Sequence, residues 1–124
     1  MPEEIKNGEV SNIIEITSKD QFDNEIKSEV LTIVDFWAVW CGPCRVLKPL
    51  LHKIADEHKE IRLLTVDVDA NQELAVEYDI NSIPAVFMFK NGEIVDSFVW
   101  VMPEDEILKK IGALNTDLEE KQAA

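Results

Sequence analysis

Long apolar runs and basic charge are what this sequence has least of. Its longest hydrophobic stretches span only a few residues, such as Ala85 to Phe89, far short of a membrane span, so no membrane partner is expected. Twelve Lys and Arg stand against 25 Asp and Glu, a formal charge of −13, whereas phosphate binding needs clustered cations. Nucleic acid is therefore excluded as a partner. The acidic residues are spread out, with clusters at Glu3-Glu4, Glu104-Asp105-Glu106 and Glu119-Glu120, and they serve solubility. Met1 to Val10 lacks the positive and apolar regions of a secretory signal, which favours a cytoplasmic location. No Pro/Gly/Ser-rich linker, internal repeat or low-complexity tract divides the 124 residues. One domain over 1–124 is expected, with about 1–10 and 116–124 as terminal extensions. Cysteine is scarce as well: two residues cannot make a disulfide framework.

What is present has a clear order. A β-branched run at Ile13–Thr17 precedes Ser18-Lys19-Asp20-Gln21, a capping-box start for a helix to about Lys27. Val30–Trp37 is almost continuously apolar, as a strand covered on both faces should be. Leu47, Leu50, Leu51, Ile54 and Ala55 then recur at helical spacing, predicting a helix to about Lys59, bent at Pro49. Ile61–Val68 predicts a strand, Gln72–Tyr78 a short helix and Pro84–Phe89 another strand. Asn91-Gly92 predicts a hairpin turn into a strand ending at Val101. A final helix should bury Ile107, Leu108, Ile111 and Leu114. The alternation of strands and helices, closed by a hairpin, implies an α/β domain with a central mixed sheet of five strands flanked by four helices.

The two cysteines stand in Trp40-Cys41-Gly42-Pro43-Cys44-Arg45, at the junction of a strand and a helix. Zinc would need nitrogen ligands, and the only histidines, His52 and His58, lie further along the same helix. Eight residues put the His52 backbone roughly 12 Å from that of Cys44, too far for ligands at about 2.0–2.3 Å from one ion. No metal site is expected, and both histidines are taken as polar-face residues. A structural staple is disfavoured because so small a loop restricts the unfolded chain little. Redox chemistry suits the place. A helix N-terminus offers free N–H groups and positive dipole to a thiolate at Cys41, lowering its pKa. Pro43 fits the first turn, where a missing N–H costs nothing. Cys44 then lies close enough to attack a mixed disulfide on Cys41, giving a Cys41–Cys44 disulfide and a released, reduced client. No cofactor is needed for that exchange.

With these residues in view the sequence closely resembles the thioredoxin family. The matching pieces are Val34–Cys44 (VDFWAVWCGPC), Ile83-Pro84 and Phe89–Glu93 (FKNGE), in the family's order and spacing. The resemblance covers roughly Ile13 to Leu114. It implies a thioredoxin fold with sheet order 1-3-2-4-5, a cis bond before Pro84, and dithiol–disulfide exchange with protein clients. It also implies a thioredoxin reductase as electron source, either a flavoprotein or a ferredoxin-dependent enzyme. Asp35 is a carboxylate in an otherwise mostly apolar strand, costly for a charge unless it reaches solvent at the strand end; it falls where the family has a carboxylate beneath the cysteines that relays a proton for the resolving thiol. Ile83 and Pro84 match the segment that pairs with an extended client strand, and Trp40 would supply apolar docking surface beside Cys41.

Three departures from the family stand out. Arg45 replaces a common lysine and keeps a cation beside Cys44. Thr65 falls where many members carry a lysine near the aspartate, so the Asp35 pKa should rise further than usual. Trp100 falls where the family has a glycine that lets client backbone come close. A thiol oxidase or isomerase on the same fold, and a partner-specific binding module, are the rival readings. The Gly-Pro between the cysteines resembles the reducing branch.

Overall fold

Apolar residues of both parities along the central strands require cover on two sides, and the computed structural model provides it. It describes residues 11–123, with side chains described for 11–115. The chain runs β1 (Ile13–Glu15), α1 (Lys19–Glu25), β2 (Thr32–Trp37), α2 (Cys44–Glu57), β3 (Arg62–Asp67), α3 (Gln72–Glu77), β4 (Ala85–Lys90), β5 (Glu93–Val99) and α4 (Glu104–Ala123). The sheet order is β1-β3-β2-β4-β5, as the resemblance implied. β1, β3 and β2 are parallel, while β4 and β5 run antiparallel to their neighbours.

Strand alternation sorts the core into two halves. Leu31, Ile33, Leu63, Val86 and Met88 face Leu47, Leu51 and Ile54 of α2 and Ile107 and Ile111 of α4. Val34, Phe36, Leu64, Val66 and Phe89 face the other way, against Phe22, Ile26 and Leu74. Aromatic edges lock this second half: the Phe22 and Phe89 rings stand 6.0 Å apart at 88°. Leu50, Leu108 and Leu114 are only partly buried and pack around the first half.

Several boundaries differ from expectation. β2 begins at Thr32, because Val30 is exposed and only from Thr32 does the chain pair with β3. β5 ends at Val99 because Trp100 turns to φ 83, outside strand geometry. Ser18 caps α1 by accepting from the Gln21 N–H, but Gln21 reaches back to Thr17 N at 2.7 Å, one residue beyond the expected box. α2 continues through Pro49 as one element, with the ring on its exposed face. The segment expected as a C-terminal extension continues α4 as far as Ala123. The N-terminal extension, about 1–10, lies outside the described residues. Asn91 and Gly92 take φ 54 and φ 84, the left-handed pair that a tight hairpin requires and that Asn-Gly adopts most cheaply.

Candidate functional site

Cys41 ends a turn after β2, its N–H bonded to Ala38 O at 3.1 Å, and Cys44 opens α2. The two form a disulfide with Cα atoms 5.3 Å apart. The Cys44 N–H donates to Cys41 Sγ at 3.2 Å, the arrangement that would steady a thiolate at Cys41 once the bond opens. The next two N–H groups are spent locally, Arg45 on Gly42 O and Val46 on Pro43 O. Pro43, at φ −60, caps the helix with no side-chain help. Gly42 has open space around its Cβ position, so crowding does not demand glycine there. Both cysteines are nearly covered in the disulfide, Cys41 at 4 % and Cys44 at 2 % exposure, so accessibility separates them less than the motif alone suggests. Arg45 is exposed and donates to Val39 O at 3.3 Å.

Trp40 lies 66 % exposed, its ring held by an Nε1–H bond to Asp69 Oδ2 at 2.8 Å. Behind it runs an apolar cleft of about 320 Å³, lined by Trp40, Val68, Ala75, Val76, Ile80 and Ile83 among others. Ile83 joins the cleft to the disulfide, packing with Ala38, Cys41 and Cys44. The Ile83–Pro84 peptide bond is cis. Ile83 makes no backbone hydrogen bond to any described residue, so its N–H and C=O remain open to a partner strand. The Pro84 carbonyl is taken by the Trp100 N–H at 2.8 Å, which places Trp100 at the edge of the same region, 56 % exposed.

Asp35 is 1 % exposed and neither carboxylate oxygen has a hydrogen-bond partner among the described residues. It therefore does not escape to solvent at the strand end. Desolvation raises its pKa from 3.8 to about 7, with the nearby Lys48 charge pulling the other way. Thr65 is its register partner on β3, so the expected loss of a cation there holds. His52 departs from expectation: its Nε2 is buried with no hydrogen-bond partner among the described residues, and burial followed by the Lys48 field lowers its pKa. His58 instead meets Glu60 at 3.1 Å. Among the described residues no cluster of His, Cys, Asp and Glu could hold a metal ion.

Two site residues escaped the sequence reading. Lys48 lies one helical turn beyond Cys44, and i, i+4 spacing could have found it. Asp69 had no local signal, since its partner Trp40 is 29 residues away.

Comparison with known proteins agrees with this geometry. The thioredoxin family model matches residues 13–113. The mitochondrial thioredoxin of Mus musculus is 42 % identical over 93 residues, covering 72 % of this chain and 56 % of that protein. This chain thus spans little more than half of that relative. A Staphylococcus epidermidis thioredoxin is 41 % identical over 96 residues, covering 77 % of this chain and 90 % of that one. The solved thioredoxin of Malassezia sympodialis superposes with TM-score 0.75 at 31 % identity, covering 85 % of this chain and 95 % of that one.

Proposed function

This chain belongs to the thioredoxin family, and from that premise we propose that it is a protein disulfide reductase working through Cys41 and Cys44. One observation carries the reading: a disulfide whose first sulfur accepts a helix N-terminal N–H, set at the mouth of an apolar cleft. In the reduced form the Cys41 thiolate attacks a client disulfide, forming a Cys41–client bond and releasing one client thiolate. Cys44 gives its proton to Asp35 and attacks Cys41 Sγ; the second client thiolate leaves and the Cys41–Cys44 bond forms. Two electrons pass to the client. A thioredoxin reductase restores the dithiol.

Trp40 and the cleft beside it receive an apolar client segment, and the open Ile83 backbone pairs with its main chain. With two cysteines in all, the protein suits a reducing compartment, and we assign it to the cytoplasm. No helix among the described residues is long and apolar enough to cross a membrane. The test is direct: the parent should reduce insulin with dithiothreitol as electron source and show a reduction potential below about −230 mV. A potential near about −120 to −180 mV would instead mark an oxidase or isomerase, and an inert dithiol a binding module.

Trp100 narrows the range of clients. A bulky residue at φ 83 costs about 1–2 kcal/mol relative to ordinary backbone geometry. The indole is mostly exposed, so its own packing offsets little of that strain. It stands beside Pro84, where client backbone must approach, and favours clients with an apolar residue to lay on it. Trp100→Gly should relieve the strain, adding about 1 kcal/mol of stability, and should raise the rate on insulin several-fold. A small-molecule disulfide should react equally fast with both proteins. Equal gains on both substrates would rule out a steric gate.

A further inference from the structure

Lys48, unassigned in the reaction described so far, stands where a cation is needed. On α2 the residues Cys44, Lys48 and His52 fall at i, i+4 and i+8, forming one row along the helix. The Lys48 ammonium sits 3.5 Å from the centroid of the Trp37 ring. Trp37 is two residues beyond Asp35 on β2, and alternate residues of a strand share a face. That face is the one α2 covers, because Leu31 and Ile33, of the same parity, pack against Leu47, Leu51 and Ile54. Trp37, Cys44 and Lys48 also line a common cleft of about 310 Å³. The row on α2 and the Asp35–Trp37 face of β2 therefore confront each other across one layer.

The other groups against Asp35 bring no positive charge. Its register partners are Thr65 on β3 and Val86 on β4. From α4 the buried residues on this side are Ile107 and Ile111. On α2, Cys44 is the thiol to be served, and His52, half-buried and beside Lys48, is held toward its neutral form. Lys48 is the one charged group of the described residues whose field acts appreciably on Asp35.

We propose that Lys48 is a positioning residue of the exchange reaction: its ammonium, held over Trp37 in the cleft shared with Cys44, lets buried Asp35 exist as a carboxylate long enough to take the Cys44 proton. The proposal rests on the reductase reading for its consequence, though its physical core is independent of activity. In an apolar layer an aspartate without a cation stays protonated and cannot act as a base. A cation fixed rigidly against it would keep it ionised and stop it from holding the proton. The cation–π seat on Trp37 provides a charge near the carboxylate without a direct ion pair, since no salt bridge joins Lys48 and Asp35 in the structure. The proton then passes from Cys44 Sγ to Asp35, Cys44 attacks the mixed disulfide, and the client leaves as thiolate.

The test reads Asp35 directly. Carboxyl-carbon NMR of the oxidised full chain, titrated from pH 5 to 10, should place the Asp35 midpoint roughly one pH unit higher in Lys48→Met than in the parent. Lys48→Gln, which keeps a polar side chain, should show the same shift, and Lys48→Arg should stay near the parent. In the reduced protein, resolution of a preformed mixed disulfide should slow roughly five-fold at pH 7 in Lys48→Met, as the carboxylate fraction falls. In an Asp35→Asn background, Lys48→Met should cause no further slowing. An unchanged Asp35 midpoint in both Lys48→Met and Lys48→Gln overturns the proposal, as does slowing that persists without Asp35. A parent that fails to reduce insulin but shows the NMR shift would overturn the reductase reading and leave the electrostatic one standing.

Discussion

Cys44→Ser is expected to lose nearly all catalytic turnover of insulin and, once prereduced and freed of dithiothreitol, to accumulate as a covalent adduct with its client. Both effects follow from where the sulfurs sit. Cys41 accepts the Cys44 backbone N–H, an interaction that survives substitution of the Cys44 side chain. The first attack therefore proceeds. The second cannot, because a serine hydroxyl at this pH is neither ionised nor able to form the S–S bond that expels the client. Cys41→Ser should abolish turnover equally but form no adduct, since the helix N–H that steadies a thiolate is directed at position 41 and not at Cys44. Mass spectrometry of a non-reduced mixture separates the cases. Adducts at Cys44 in Cys41→Ser, and none at Cys41 in Cys44→Ser, would reverse the two roles. The same trapped adducts identify clients.

Asp35→Asn is expected to separate catalysis from stability in opposite directions. Release of reduced client should slow roughly ten- to a hundred-fold at pH 7, the scale of a lost general base. The first attack should change little. The deficit should shrink toward pH 9, where Cys44 ionises without help. Stability should rise instead. An acid whose folded pKa is about 7 and whose unfolded pKa is near 3.8 binds its proton more tightly when folded. Stability from this group is fully present below about pH 4, falls by about 1.4 kcal/mol per pH unit up to pH 7, and is flat beyond. The total loss at pH 8 is about 4 kcal/mol. Asparagine removes the slope, although its amide is buried without partners, so a net gain of about 2 kcal/mol is expected at pH 8 and none near pH 4. Urea unfolding of the oxidised proteins at the two pH values measures this. A parent whose stability is the same at pH 5 and pH 8 would show that Asp35 does not carry the proton.

The elements and the nucleophile pair were legible in the sequence because each depends on local geometry. Two-sided strands appear as unbroken apolar runs, helices as 3.6-residue spacing, and the hairpin as Asn91-Gly92. Cys41 and Cys44, three residues apart across a strand-to-helix junction, come together through the first turn of α2 alone. Asp35 was visible as a misplaced charge, but whether it reached solvent was not. Its burial depends on β3 and β4 closing on both sides of β2 and on α2 covering one face, all of which are long-range pairings. The same holds for His52, whose polar character suggested the surface until the packing of α2 covered its Nε2.

What the sequence determined by itself was therefore the chemistry: a dithiol at a helix start on an α/β sheet, with an aspartate upstream. Tertiary structure decided the environment of that chemistry. It set Thr65 beside Asp35, Asp69 under Trp40, Ile83 against the disulfide and Trp100 against Pro84. It also turned Lys48, one of twelve Lys and Arg, into the cation that, among the described residues, acts on Asp35. Periodicity and short spacing are properties of the backbone and are present in any fragment of the chain. Proximity across a sheet exists only after strand order and register are chosen, and desolvation, which raises the Asp35 pKa, exists only once the layers have closed.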